Sequence, residues 1–500
     1  DLDALVAAIA DGKTSWSPER AVKLAEGAGL TPSEAVFLWA GCPNGSDRSA
    51  NFLDKELREK TLQLKAKQAE VARDSMNALP LAKRIRAIDA AGHAGVAALL
   101  DGAAVDALVA AWQAQFGVRV VVPEGLIADA DRALWSPPLP KLALMAMGGA
   151  ESVPELTTDG HWGFDSHGNV IPVSSAEPLV GQSKLDPEPQ VFTFLQLETV
   201  LAYLPFVFAE LPVGHPLRAS SARSFELVRA RLENPSLWID AGSQYLSDQE
   251  AKAFDTVLDG LGGELLAGIE KPATVRRFRG AAVQRSGSRA ELKLHPATLD
   301  AKARATVGKL AVPFTTWGGV QVWKALELAA SPDYAAFVSR VHKTPVPEGK
   351  WEQNPQLSAP RTVAAVAAKH ELSRDAAALY LQYLTLLWPT PKNVQLWNEW
   401  KPKQFETANA ELLEHELILE AKRERAQRSS FLPGGWEALK SPSPPMESWK
   451  LPLYGTRSVE ANPTPTLPRF LALAPFHLMF ERAWQRCEAG DVPRYEEVKR

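Results

Sequence analysis

The chain has 500 residues, 46% of them apolar and 23% charged, a globular composition too long for one ordinary core. Lys and Arg number 55 against 59 Asp and Glu, so the net charge is −4 and the whole chain is no polyanion binder; a nucleic-acid surface would have to be a local patch. Cys42 and Cys487, the two cysteines, lie at opposite ends, which excludes a thiolate zinc site and suits a reducing, cytoplasmic setting.

The sequence begins at Asp1 without Met or a signal-peptide pattern, which is expected of a processed product or a piece of something longer. Residues 1–117 read as a helical module. Ser17-Pro18-Glu19 starts a helix over 21–28, Gly29 ends it, and Thr31-Pro32-Ser33-Glu34 caps the next. A charged helix is expected over 53–76, its Lys and Glu forming a solvated face, and two or three Ala/Leu helices over 82–114. Residues 118–190 read as an irregular, β-containing segment: a strand at 118–123, then crowded Pro and Gly. Within it, residues 162–171 read as a hairpin turning at Ser166 to Asn169.

Residues 191–345 return to a central helical module with a short β element. Helices are expected over 192–211, 217–232, 248–261, 317–328 and 332–341, and a strand pair over 274–294 turning at Ser286-Gly287-Ser288. The run 191–211 carries Gln196, Glu198, Pro205 and Glu210, so it reads as buried helix and not as a membrane span. Four prolines between 344 and 360 mark a linker. Residues 346–456 form a winged-helix-like module with a Pro-rich extension that is expected to lie extended on the surface from 432 to 468. Residues 457–500 close on a helix over 469–488.

The segment 362–432 carries the main motif. A helix over 362–370, a turn at Glu371-Leu372-Ser373 and a helix over 374–388 give a helix–turn–helix, with Ala367 and Ala377 small enough for a close crossing. A third helix over 405–415, a strand over 417–421 and a charged tip over 422–428 complete a winged-helix order. Arg374, Lys422, Arg423, Arg425 and Arg428 are the candidate contacts to nucleic acid or to a protein partner. Two features oppose a DNA reader. The second helix offers Ala, Leu and Tyr where base edges need polar donors, and ten Lys/Arg over 361–428 face nine Asp/Glu. Residues 21–39 align without a gap on 363–381, placing Ala25 on Ala367, Leu30 on Leu372 and Thr31 on Ser373, the pattern of a duplicated helical module without a second wing.

The stretches LTPSEAVFLWAG, ANFLDKELREK, SRDAAALYLQYL, FLPGGWEALK and GDVPRYEEV resemble those of large, poorly characterised bacterial proteins of the molybdate-metabolism-regulator-like group. That resemblance implies a large multidomain cytoplasmic protein, a family often labelled DNA-binding, some members of which are encoded beside MoxR-type AAA+ ATPases and von Willebrand factor A proteins. It transfers no site residues.

Other constellations point to no chemistry. His161, Asp165, His167 and Asn169 could approach one metal, but Ser-His-Gly-Asn is good turn chemistry and reads as a polar β-turn. Ser220 and Ser221 near His215 lack a positioned acid. No phosphate loop, dinucleotide fingerprint, nucleophile elbow or H-E-x-x-H occurs, and fifteen tryptophans spread along the chain read as inter-helix packing. The expectation is a mainly α, multi-module protein with a few short β-hairpins, not an enzyme, without cofactor or metal. It would serve as an interaction scaffold, with a DNA-binding regulator acting through 361–432 as the alternative and an enzyme sited in 118–190 as a third reading with no motif behind it.

Overall fold

The computed structural model describes residues 17–39, 65–77, 81–95, 102–117, 161–173, 194–235, 237–311, 322–440, 443–456, 463–467 and 469–495, with a few single positions between. They are mainly helical with a few small antiparallel sheets. The contact pattern separates two compact units, residues 1–132 with 136–157, and residues 133–135 with 158–500. The expected strand at 118–123, residues 53–58 and 60–64 of the expected helix over 53–76, and residues 129–160 lie outside the described residues.

The first unit contains α1 (Pro18–Ala28), α2 (Pro32–Trp39), α3 (Ala66–Asn77), α4 (Leu81–His93) and α5 (Ala103–Phe116). Ser17 caps α1 by accepting from the Arg20 amide, and Thr31 with Glu34 forms a reciprocal capping box on α2, so two of the amides at the start of that helix are satisfied and Pro32 has none to satisfy. Leu24, Leu30, Phe37, Leu108, Trp112 and Phe116 form the core of this unit. Burying such side chains stabilises by about 1.5–3 kcal/mol each.

The second unit opens on a hairpin, β1 (His161–Phe164) with β2 (Val170–Val173), whose turn is held as expected from its residues: the Asp165 carboxylate accepts from the His167 amide at 2.9 Å and from the Asn169 amide at 2.8 Å. Then come α6 (Phe194–Glu210) and α7 (Pro216–Leu232). Pro205 sits inside α6 and has no N–H to give the Leu201 carbonyl four residues back; the buried Tyr334 hydroxyl donates to that carbonyl instead, at 2.9 Å. His215 is used as the N-cap of α7, accepting from the Leu217 amide, and Ser221 donates to the Arg218 carbonyl, so neither is set up as part of a catalytic triad.

A five-stranded antiparallel sheet follows, in the order β3-β7-β6-β5-β4, from β3 (Ile239–Tyr245), β4 (Glu264–Leu265), β5 (Thr274–Phe278), β6 (Ala281–Ser286) and β7 (Arg289–Leu294). The strand pair expected over 274–294 is therefore three strands of a larger sheet. β3 escaped the sequence because Asp240, Gly242 and Ser243 have low β propensity; it is an edge strand with a bulge between Asp240 and Ser243. Between β3 and β4 lies α8 (Asp248–Leu261), with a Ser247/Glu250 capping box. Its Asp255 and Asp259 reach Arg285 and Arg276 of the sheet, both at 2.9 Å.

After α9 (Ala301–Ala311), α10 (Val322–Ala330) and α11 (Pro332–His342), the residues expected to be a linker are instead a packed strap. Val346, Glu352, Gln353 and Ser358 are buried, Val213 and Lys350 are joined through the backbone, and Gln353 donates to the Ala209 carbonyl while accepting from Gln382. Its prolines and the short α12 (Pro355–Ser358) are features of this irregular strap.

The last part holds α13 (Pro360–His370), α14 (Arg374–Thr385), α15 (Pro391–Asn398) and α16 (Pro402–Glu414), and then β8 (Leu419–Glu420) paired with β9 (Ser430–Phe431). α15, which the sequence reading missed, starts on a Thr390 cap with Pro391 at its first turn. The described part of 432–468 is not a surface extension: β10 (Trp436–Glu437) pairs with β11 (Met446–Glu447), and the 3-10 turn Ser448–Tyr454 buries Lys450, Leu451 and Tyr454. α17 (Phe476–Glu488) begins later than expected, after Pro475, and ends before Gly490 at φ 89°. Among the described residues no helix is long and apolar enough to cross a membrane.

One turn is used repeatedly. Gly29 and Glu371 both take left-handed φ, and the next residue, Leu30 or Leu372, donates its amide back to Ala25 or Ala367 and buries its side chain. The aligned segments 21–39 and 363–381 therefore share their turn geometry. Glu399 and Trp400 repeat it before α16. Glu371 bears the strain of a side chain at φ 55° and, unlike Glu399 with Lys350, has no ion pair among the described residues. Glu371→Gly is expected to stabilise the protein by roughly 0.5–1 kcal/mol, visible as a higher unfolding midpoint of the full chain; a lower midpoint would refute the turn assignment.

Candidate functional site

α14 covers the residues expected from sequence to form the second helix of a helix–turn–helix, and those from Ala376 to Thr385 are all buried. Gln382, the polar residue best suited to a base edge, exchanges hydrogen bonds with Asn398 (3.0 Å each way) and reaches the Gln353 carbonyl. The apolar sequence of this helix thus has its ordinary cause, burial on every side.

Arg374 lies at the exposed start of α14 and lines a surface cavity of about 660 Å³ with Lys401, Lys403 and Glu411. The charges there are largely used within the fold. Glu411 accepts from the Ser373 amide and hydroxyl at 2.5 Å, and Asp375 accepts from Gln356 (2.7 Å) and Gln404 (2.8 Å).

The other four candidates, Lys422, Arg423, Arg425 and Arg428, line a second open cavity of about 570 Å³ together with Trp388 and Pro445. It is formed by the nine-residue connection 421–429 between β8 and β9. A two-residue turn would suffice for two paired strands, so this length needs its own support. Buried Ala426 anchors the middle, and the Trp436 indole donates to the Glu424 carbonyl at 3.2 Å. Arg423 turns inward to the carbonyls of Leu432 and Gly434, at 3.4 and 3.0 Å, with its guanidinium against the rings of Phe431 and Trp436. Arg425 donates to the Leu439 carbonyl but stays exposed, and Lys422 is exposed.

Arg428 is the least accessible of the four. Its side chain, 2% exposed, pairs with the Glu447 carboxylate at 2.7 Å, and Lys450 stands on the other carboxylate oxygen at 2.9 Å. Burial would push Glu447 up, but Lys450 and Arg428 overcome it and hold the carboxyl down at about 2. Burial lowers Lys450 to about 8 despite the same carboxylate, and its ammonium also donates to the Leu386 carbonyl at 2.6 Å. Neither Glu447, Lys450 nor Trp388 was singled out from sequence. Glu447 follows Arg428 by nineteen positions in a proline-rich stretch, where no periodicity joins them.

No family model, curated protein or solved structure matches this chain. Among the described residues no group of three or more His, Cys, Asp or Glu could hold a metal ion. Burial pushes the Cys487 thiol up to about 12, the reverse of what a nucleophilic cysteine needs.

Proposed function

We propose that the chain is a non-catalytic docking and scaffold region of a larger bacterial cytoplasmic protein, related to the molybdate-metabolism-regulator-like group and working with a MoxR-type ATPase and von Willebrand factor A proteins. The observation that carries this reading is the burial of α14, with Arg423 and Arg428 spent inside the fold, which leaves the helix–turn–helix-like pair as a packing element. Protein partners, not a membrane or a cofactor, are the expected ligands. Purified chain is expected to bind a purified MoxR-type ATPase and to show no stable retention on duplex DNA at physiological salt.

A DNA-binding regulator acting through a winged helix at 361–432 is the second reading, favoured by the order of α13, α14, α16, β8 and β9 and by the cationic connection 421–429. It requires submicromolar duplex binding that weakens steeply with salt and collapses in Lys422→Ala/Arg425→Ala, a pair chosen because both side chains are exposed. That result, with no ATPase binding, would reverse the order of the two readings.

A further inference from the structure

The cavity formed by 421–429 combines three features that the docking reading does not use. Its wall is cationic: four of its lining residues are Lys or Arg, none is acidic, and the buried Glu447 behind it neutralises part of the excess. Its volume, about 570 Å³, falls within the range of roughly 300–1,000 Å³ typical of small-molecule sites. It also exposes an aromatic side chain. Trp388 is 37% exposed, and among the described residues no other ring or cation stacks on it. Its backbone is fixed, because its carbonyl accepts from the Thr390 amide at 2.8 Å and from Asn393 Nδ2 at 3.0 Å.

The connection is also built stiffly. Arg425 and Gln427, both without the freedom of glycine, take left-handed φ of 59° and 55° on either side of buried Ala426. Such conformations persist where the surroundings over-determine them, and here those are the Arg423, Arg428 and Trp436 contacts. A preorganised cationic wall beside a free indole matches a ligand with a π face and a phosphate on one small frame.

We propose that this cavity binds a nucleoside phosphate, its base stacked on Trp388 and its phosphates held by Lys422 and Arg425, with Arg423 and Arg428 fixing the wall. A free nucleotide and a nucleotide within a single strand share this chemistry. The inference is independent of the docking reading and does not require duplex DNA.

The test is calorimetric titration of the full chain with ATP, with a short oligo(dT), with adenosine and with inorganic tripolyphosphate. ATP or the oligonucleotide is expected to bind at least tenfold more tightly than adenosine or tripolyphosphate, and which of the two binds better identifies the source. Trp388→Ala and Lys422→Ala/Arg425→Ala are each expected to weaken binding tenfold or more, while Trp388→Phe keeps it. The charge variant changes two exposed side chains, of which Arg425 also gives up its bond to the Leu439 carbonyl, and is expected to lower the melting temperature only slightly, so it tests the site even where Trp388→Ala unfolds. Absence of binding at millimolar ATP and oligonucleotide, tripolyphosphate binding equal to ATP, or unchanged affinity in the charge variant would overturn the proposal.

Discussion

Glu447→Gln is expected to cost about 3–5 kcal/mol, because it leaves the buried Arg428 and Lys450 without their shared counter-charge. The same carboxylate makes the fold acid-sensitive. Its pKa falls from 4.5 to about 2 on folding, so the unfolded chain binds more protons between those values. The stabilisation, about 3 kcal/mol, is fully present above pH 4.5 and is lost as the pH falls toward 2. Lys450 works in the opposite direction: its pKa falls from 10.5 to about 8, so it penalises the fold below pH 8 and the penalty fades as the pH rises to 10.5. Lys450→Met is therefore expected to cost less than Glu447→Gln at neutral pH. Urea unfolding of both variants, followed from pH 2 to pH 7, checks this; equal losses, or an unaltered acid limb in Glu447→Gln, would contradict the assignment.

Glu352→Gln is expected to be comparably damaging, again about 3–5 kcal/mol. Glu352 is fully buried and accepts from Arg340 through three contacts of 2.9–3.1 Å and from the Thr344 hydroxyl at 2.7 Å. Arg218, also buried, stands 3.8 Å away and lies 4.1 Å over the Phe208 ring, beyond hydrogen-bond reach of the carboxylate. Burial, reinforced by Arg340 and only partly offset by Glu352, brings the Arg218 guanidinium down to about 10. The same surroundings hold His477 near 4. Without Glu352, two guanidinium groups remain buried with no anion between them. Arg340→Met/Glu352→Met should recover part of the loss, since it removes the pair and leaves no orphaned charge from it. Unfolding midpoints in a double-mutant cycle measure this; a Glu352→Gln loss under about 1 kcal/mol, the scale of exposed pairs, would show that the cluster is solvated.

Helix starts were legible because their signals are local. Ser17 before Pro18, Thr31 with Glu34 and Ser373 before Arg374 each act within three residues, and the structure uses each one as its chemistry dictates. The 344–360 strap was misread for the complementary reason. Proline reports a backbone that cannot be helical or central in a sheet, and says nothing about burial; the partners of Glu352, at 340 and 218, lie outside any local window. The site divides the same way. The cations of 422–428 stand together in sequence, and so does the apolar run of α14, but the inward turn of Arg428 depends on Glu447 and on rings at 383, 431 and 436. Charge counting found the residues, and tertiary contacts decided which of them remain free.

The strap also determines where this polypeptide can be divided. A fragment that starts at Arg361 would carry α13 to α17 away from Gln353, whose carbonyl accepts from Gln382 in the middle of α14. A fragment that stops at Lys343 would strip Arg340 of its carboxylate. Neither half inherits a finished surface, so the stretch that reads as a natural cutting point is the seam along which the second unit is sewn together.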